Sequence, residues 1–131
     1  MKKLIFCFDI DNVLCKTRKN KYQNSTPIKK NIKTVNNLKE SGHYIKIFTA
    51  RFMGRNKENR YLAKKQGLAM TKKQLKKWGL KYDKLIFGKP SYDFFVDDKN
   101  FQYKKNWSVK IKKYLRLKKT WNQLLQEGED S

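Results

Sequence analysis

Four short apolar runs punctuate this chain, and the stretches between them carry helical spacing. Leu4-Ile5-Phe6-Cys7-Phe8 is continuously apolar and rich in aromatic and branched residues, the pattern of a strand buried on both faces of a parallel sheet. YIKIFTA (44–50) predicts a second strand, KLIFG (84–88) a third and DFFVDD (93–98) a fourth. Residues 16–26 are polar and predict a loop or small hairpin. Pro27 suits the first turn of a helix over 28–41, where Ile28, Ile32, Val35 and Leu38 share a face and Gly42 is the stop. Helical material at about 56–66 ends at Gly67, and Thr71 with Gln74 forms a capping-box pattern opening a further helix that Gly79 closes. Residues 108–126 read as a basic amphipathic helix carrying Ile111, Leu115, Trp121 and Leu125. Strands alternating with helices predict an α/β fold, a mainly parallel sheet with helices on both faces. At 131 residues the chain is expected to form one domain, with its core over about 4–103.

In an open α/β sheet, ligands bind beyond the carboxyl ends of the strands. Asp9 and Asp11 follow the first expected strand, Thr49 closes the second, Lys89 follows the third, and Asp97 and Asp98 close the fourth. Singly, each has a plain reading: a capping acid, a strand-end threonine, one lysine among many, a turn. Together, if the strands are parallel, they converge on one edge. Four carboxylates at close range require a cation, and oxygen-only donors suit Mg²⁺. A carboxylate there can attack phosphorus, while its neighbour two residues on protonates the leaving oxygen and then deprotonates water. A hydroxyl and an ammonium would hold the phosphoryl oxygens. Arg51 and Arg55, just past Thr49 in TARFMGR, are candidate substrate contacts, with a solvated loop as the plain alternative. His43 stands alone before a strand and reads as structural or surface rather than catalytic.

These motifs resemble those of the haloacid dehalogenase (HAD) superfamily. FCFDIDNVLC is similar to its first motif, an apolar strand running into Asp-x-Asp; YIKIFTAR to its second; Lys89 in FGKPS and FFVDD to its third and fourth. The resemblance spans residues 4–98 and implies a three-layer Rossmann-like core. It implies Asp9 as nucleophile and metal ligand, and Asp11 as general acid/base with its main-chain carbonyl on the metal. Thr49 and Lys89 would bind phosphate, and Asp97, or Asp98 beside it, would be the remaining Mg²⁺ ligand. An acid at position 11 favours a phosphatase over a dehalogenase. DNV stands where the family usually has Asp-Gly-Thr or Asp-Gly-Val, and Asn tolerates the turn. The intervals between motifs leave no room for a substantial cap domain. TARFMGR, TKKQLKKWG, YDKLIFGKPS and VDDK resemble small capless members of the capsule and surface-polysaccharide biosynthesis phosphatase type. That implies a sugar phosphate or related phosphorylated metabolite as substrate.

The formal charge is +22, from 33 basic and 11 acidic residues. Such a surface attracts polyanions. Only five of the basic residues are arginine, at 18, 51, 55, 60 and 116, and asparagine is abundant, so the charge reads first as compositional, with weak nucleic-acid binding through the basic surface. A polynucleotide or nucleotide phosphatase is the rival enzyme reading. A non-catalytic nucleic-acid-binding module on the same scaffold is the third, supported by basic residues interleaved with Trp and Tyr in the tail. No apolar run is long enough to span a membrane, and acids interrupt the N-terminal apolar stretch, against a signal peptide. Cys7 and Cys15 form no disulfide framework, and Cys7 reads as a buried strand residue in a reducing cytoplasm. An open site without a cap could also borrow cover from a second subunit, as a homo-oligomer.

Overall fold

The computed structural model describes residues 2–101 and 106–116. The chain divides into two compact units, Lys2–Phe94 and Phe95–Ser131 with Met1. The first unit holds a three-stranded parallel sheet in the order β1 (Ile5–Phe8), β4 (Tyr44–Thr49), β5 (Lys84–Phe87). Ile5 pairs with Tyr44 and Phe8 with Ile47, while Lys46 pairs with Lys84 and Thr49 with Phe87. Between β1 and β4 the chain makes a two-stranded antiparallel ribbon, β2 (Cys15–Lys16) and β3 (Thr26–Pro27), then α1 (Lys29–Glu40). Between β4 and β5 lies α2 (Arg60–Lys77). The order is therefore strand, helix, strand, helix, strand with all three sheet strands parallel, the Rossmann-like α/β arrangement.

β4 is the central strand, and its alternation is plain: Ile45, Ile47 and Thr49 are buried, Tyr44, Lys46 and Phe48 half-buried. α1 packs against β4 and α2 against β5. On α1 the buried Ile32, Val35 and Leu38 recur at helical spacing, as expected of a core-facing stripe. Met53, Ala63 and Phe87 form a second buried cluster under α2.

The structure departs from the sequence-based expectations at four places. Residues 56–79 do not form two helices; α2 is one continuous helix capped by Asn59, whose side chain accepts the Leu62 N–H at 3.1 Å. Gly67 sits inside it because the Phe52 ring occupies the space a Cβ would need, 2.5 Å away. Thr71 is fully buried in mid-helix and caps nothing. Pro27 belongs to β3, one residue before the Ile28 cap of α1. β1 is buried on one side only: successive side chains point to opposite faces, and on one face Ile5 is 67% exposed and Cys7 is exposed, while Phe8 on the other is buried. Residues 93–98 form no strand, with Phe94 and Val96 exposed. Asp97 instead opens a turn, its Oδ1 accepting the Lys99 N–H at 2.8 Å, a local bond that competes with ladder pairing. In the second unit residues 107–116 are helical, with Trp107 and Ile111 buried. The rest of the expected 108–126 helix, including Trp121 and Leu125, lies outside the described residues.

Candidate active site

Parallel strands deliver their carboxyl ends to one edge, and three of the expected groups arrive there from three strands. Asp9 directly follows β1, Thr49 ends β4, and Lys89 lies two residues past β5. The Lys89 backbone N–H donates to the Thr49 carbonyl at 3.1 Å, so the two strand ends are stitched together. Gly88 makes this turn with φ +103°, and the Arg60 side chain lies where a Cβ would project. Lys89 Nζ stands 3.3 Å from Asp9 Oδ2, and the Ile10 N–H donates to Asp9 Oδ1 at 2.8 Å.

Burial raises the Asp9 carboxyl above its ordinary pKa, and the Lys89 charge offsets only part of that shift. Burial works against the Lys89 charge too, but its hydrogen bond to Tyr92 and its attraction to Asp9 outweigh it, so its pKa is raised. The ammonium also lies 5.3 Å from the centre of the Tyr92 ring.

Asp11 is held by an arginine that is itself inside the protein. Arg51 is 1% exposed; its Nη2 donates to Asp11 Oδ1 at 2.9 Å and its Nε to Oδ2 at 3.0 Å. Nη1 donates to Gln74 Oε1 at 2.6 Å, and the guanidinium lies over Tyr22, 5.0 Å from the ring centre. Gln74 in turn donates to the Tyr22 carbonyl at 2.8 Å. Thr17 Oγ1 adds a 2.6 Å bond to Asp11 Oδ1. Arg51 is therefore no solvated loop residue: in this arrangement its guanidinium donates to Asp11, Thr71 and Gln74 and anchors the Asp11 carboxylate from inside the protein. The turn beyond Asp11 passes through Asn12 at φ 64°, which Asn tolerates.

Thr49 is fully buried, and its Oγ1 accepts the Arg51 N–H at 3.1 Å, so in this arrangement it orders the turn into Arg51. Arg55 is exposed, donates to the Asn20 carbonyl at 3.3 Å and lies over Phe52 and Tyr22. Asp97 and Asp98 belong to the second unit, where both are exposed. His43 is structural: 2% exposed, its Nδ1 accepting the Leu4 N–H at 3.0 Å.

Sequence reasoning missed Gln74, Thr71 and Tyr22 as partners of Arg51, and Glu58, whose carboxylate accepts the Ser91 N–H at 2.7 Å and steadies the loop carrying Lys89. The signal for the first group is Thr71 and Gln74, whose spacing fits a capping box by local rules but serves Arg51 in the fold.

As to a metal, no three His, Cys, Asp or Glu side chains among the described residues gather closely enough to hold one. The donor chemistry of Asp9 nevertheless fits a hard divalent cation. It offers carboxylate oxygens in a desolvated position whose negative charge is incompletely balanced.

A crystal structure of a target protein from Vibrio cholerae is similar to this chain, with a TM-score of 0.70 and 27% identity. The match covers 77% of this chain and 84% of that one. The α/β fold is shared. No family model and no curated protein matches the sequence. Among the described residues, no helix is long and apolar enough to cross a membrane.

Proposed function

We propose that this chain is a phosphomonoesterase of the HAD type, working through a phosphorylated Asp9 on a sugar phosphate or related metabolite. One observation carries the reading: Asp9 and Lys89 meet at the carboxyl edge of a parallel sheet, 3.3 Å apart, with a second aspartate two residues beyond Asp9. Asp9 Oδ2 would attack phosphorus while the ester P–O bond breaks. Asp11 would give a proton to the leaving oxygen, then take one from the water that releases phosphate and restores Asp9. The Lys89 ammonium would hold a phosphoryl oxygen as charge redistributes. Arg51 would keep the Asp11 carboxylate oriented throughout.

Mg²⁺ would be held by Asp9 and the main-chain carbonyl of Asp11, and bound there it would supply charge stabilisation to the phosphoryl group. The part of Asp97 or Asp98 in holding it rests on the family resemblance. The polynucleotide reading has one feature in its favour beyond net charge. A groove beside α1 and the end of α2 is lined by Lys29, Lys33, Lys77 and Trp78, a basic and aromatic surface suited to a nucleic-acid strand.

The test is phosphate release with Mg²⁺ from a panel of sugar phosphates, nucleotides and end-phosphorylated oligonucleotides. Sugar phosphates should be hydrolysed fastest, and Asp9→Asn should lower the rate by about 10⁴-fold or more while leaving the fold intact. Appreciable turnover by pure Asp9→Asn protein would sink the assignment, and faster turnover of oligonucleotide ends would promote the rival substrate.

A further inference from the structure

Beside Lys89 stands an aromatic residue that the chemistry above does not use. Tyr92 is 46% exposed, yet the Lys89 ammonium lies 5.3 Å from its ring centre. Lys89 is in turn 3.3 Å from the Asp9 carboxylate, so the ring stands one side chain away from the proposed nucleophile.

The loop that carries Tyr92 is held on both sides. Lys89 N–H is tied to the Thr49 carbonyl at 3.1 Å, and Ser91 donates twice to Glu58, from its N–H at 2.7 Å and its hydroxyl at 3.1 Å. Pro90 between them fixes its own φ. An exposed tyrosine on an anchored loop supplies contact area with little conformational entropy left to lose. A phosphoryl group bound to Lys89 and attacked by Asp9 would have Tyr92 as a neighbour of its leaving group.

We propose that Tyr92 is a specificity-determining residue: its ring, beside Lys89, packs against the leaving group. An aromatic face selects a leaving group with an apolar face of its own, which a pyranose presents through its axial C–H bonds and a short linear polyol does not. This inference rests on the phosphatase reading and narrows it to phosphorylated sugar rings.

The two parts of Tyr92 are separable. Tyr92→Ala removes ring and hydroxyl; Tyr92→Phe removes the hydroxyl alone. With wild type and both variants, KM and kcat are measured on a pyranose phosphate, on glycerol phosphate and on a 5′-nucleotide. Tyr92→Ala should raise KM for the pyranose phosphate by about tenfold, the upper range of one aromatic contact, and leave KM for glycerol phosphate within about twofold. Tyr92→Phe, which keeps the ring, should keep the pyranose KM. Equal KM changes on pyranose and glycerol phosphates in Tyr92→Ala would overturn the inference, as would a KM change confined to the nucleotide. A wild type that hydrolyses none of the three would instead remove the phosphatase reading itself.

Discussion

His43 is the chain's only histidine, and its environment makes it a readable probe of how β1 is attached. Its Nδ1 accepts the Leu4 N–H at 3.0 Å, which places the proton of the neutral ring on Nε2, a buried atom with no hydrogen-bond partner among the described residues. The ring also meets Phe6 edge-on, 5.4 Å between centres. Protonation would put a second proton on Nδ1 and break the bond to Leu4. Burial lowers the pKa of His43 below its ordinary value near 6.5. The unfolded chain therefore takes up a proton before the folded one does, and stability is lost as pH falls below about 6.5. Thermal unfolding should shift downward between pH 7.5 and 5.5, and His43→Asn, which keeps an acceptor but cannot titrate, should flatten that dependence. An equal slope in the variant would show that another group controls it.

At the scale of elements, Gly67 decides how α2 packs. A methyl there would lie 2.5 Å from the Phe52 ring and 3.0 Å from Phe87, and Phe52 sits at φ 66°, with little freedom to retreat. Gly67→Ala gains up to about 1 kcal/mol of helix propensity, but overpacking costs about 1–3 kcal/mol. The net expectation is a loss of up to about 2 kcal/mol by urea denaturation, and a stabilised protein would contradict the packing argument. The same glycine shows why the helices were only partly legible. By local rules Gly67 is a stop and Thr71 with Gln74 a start; both rules lose to tertiary contacts, Phe52 over the glycine and Arg51 against the other two. The sheet strands β1, β4 and β5 were legible because each is a short apolar run bounded by polar turns. DFFVDD had the same composition and formed no strand, since composition does not supply a ladder partner. Asp9 and Lys89 could be placed together because parallel topology alone brings strand ends to one edge. The burial of Arg51 could not be seen, for it depends on a helix and a turn far apart in sequence.

For the whole molecule, the +22 charge and the strand-end site point to different partners. At the site Lys89 faces Asp9 and Arg51 faces Asp11, a local arrangement of four charges, whereas the net positive charge is carried along the whole sequence. A reaction at this edge would rest on the division of labour between the two aspartates, and that division can be measured. Asp11→Asn keeps an acceptor for Arg51 but cannot transfer a proton. With p-nitrophenyl phosphate, whose leaving group departs without one, phosphoryl transfer to Asp9 should proceed while hydrolysis stalls. Mixed with Mg²⁺ and excess substrate, Asp11→Asn should release about one nitrophenolate per chain in a burst and then nearly stop, with one phosphoryl group found on Asp9 by peptide mass analysis. Sustained turnover without a burst, or a phosphoryl group on any other residue, would contradict the account.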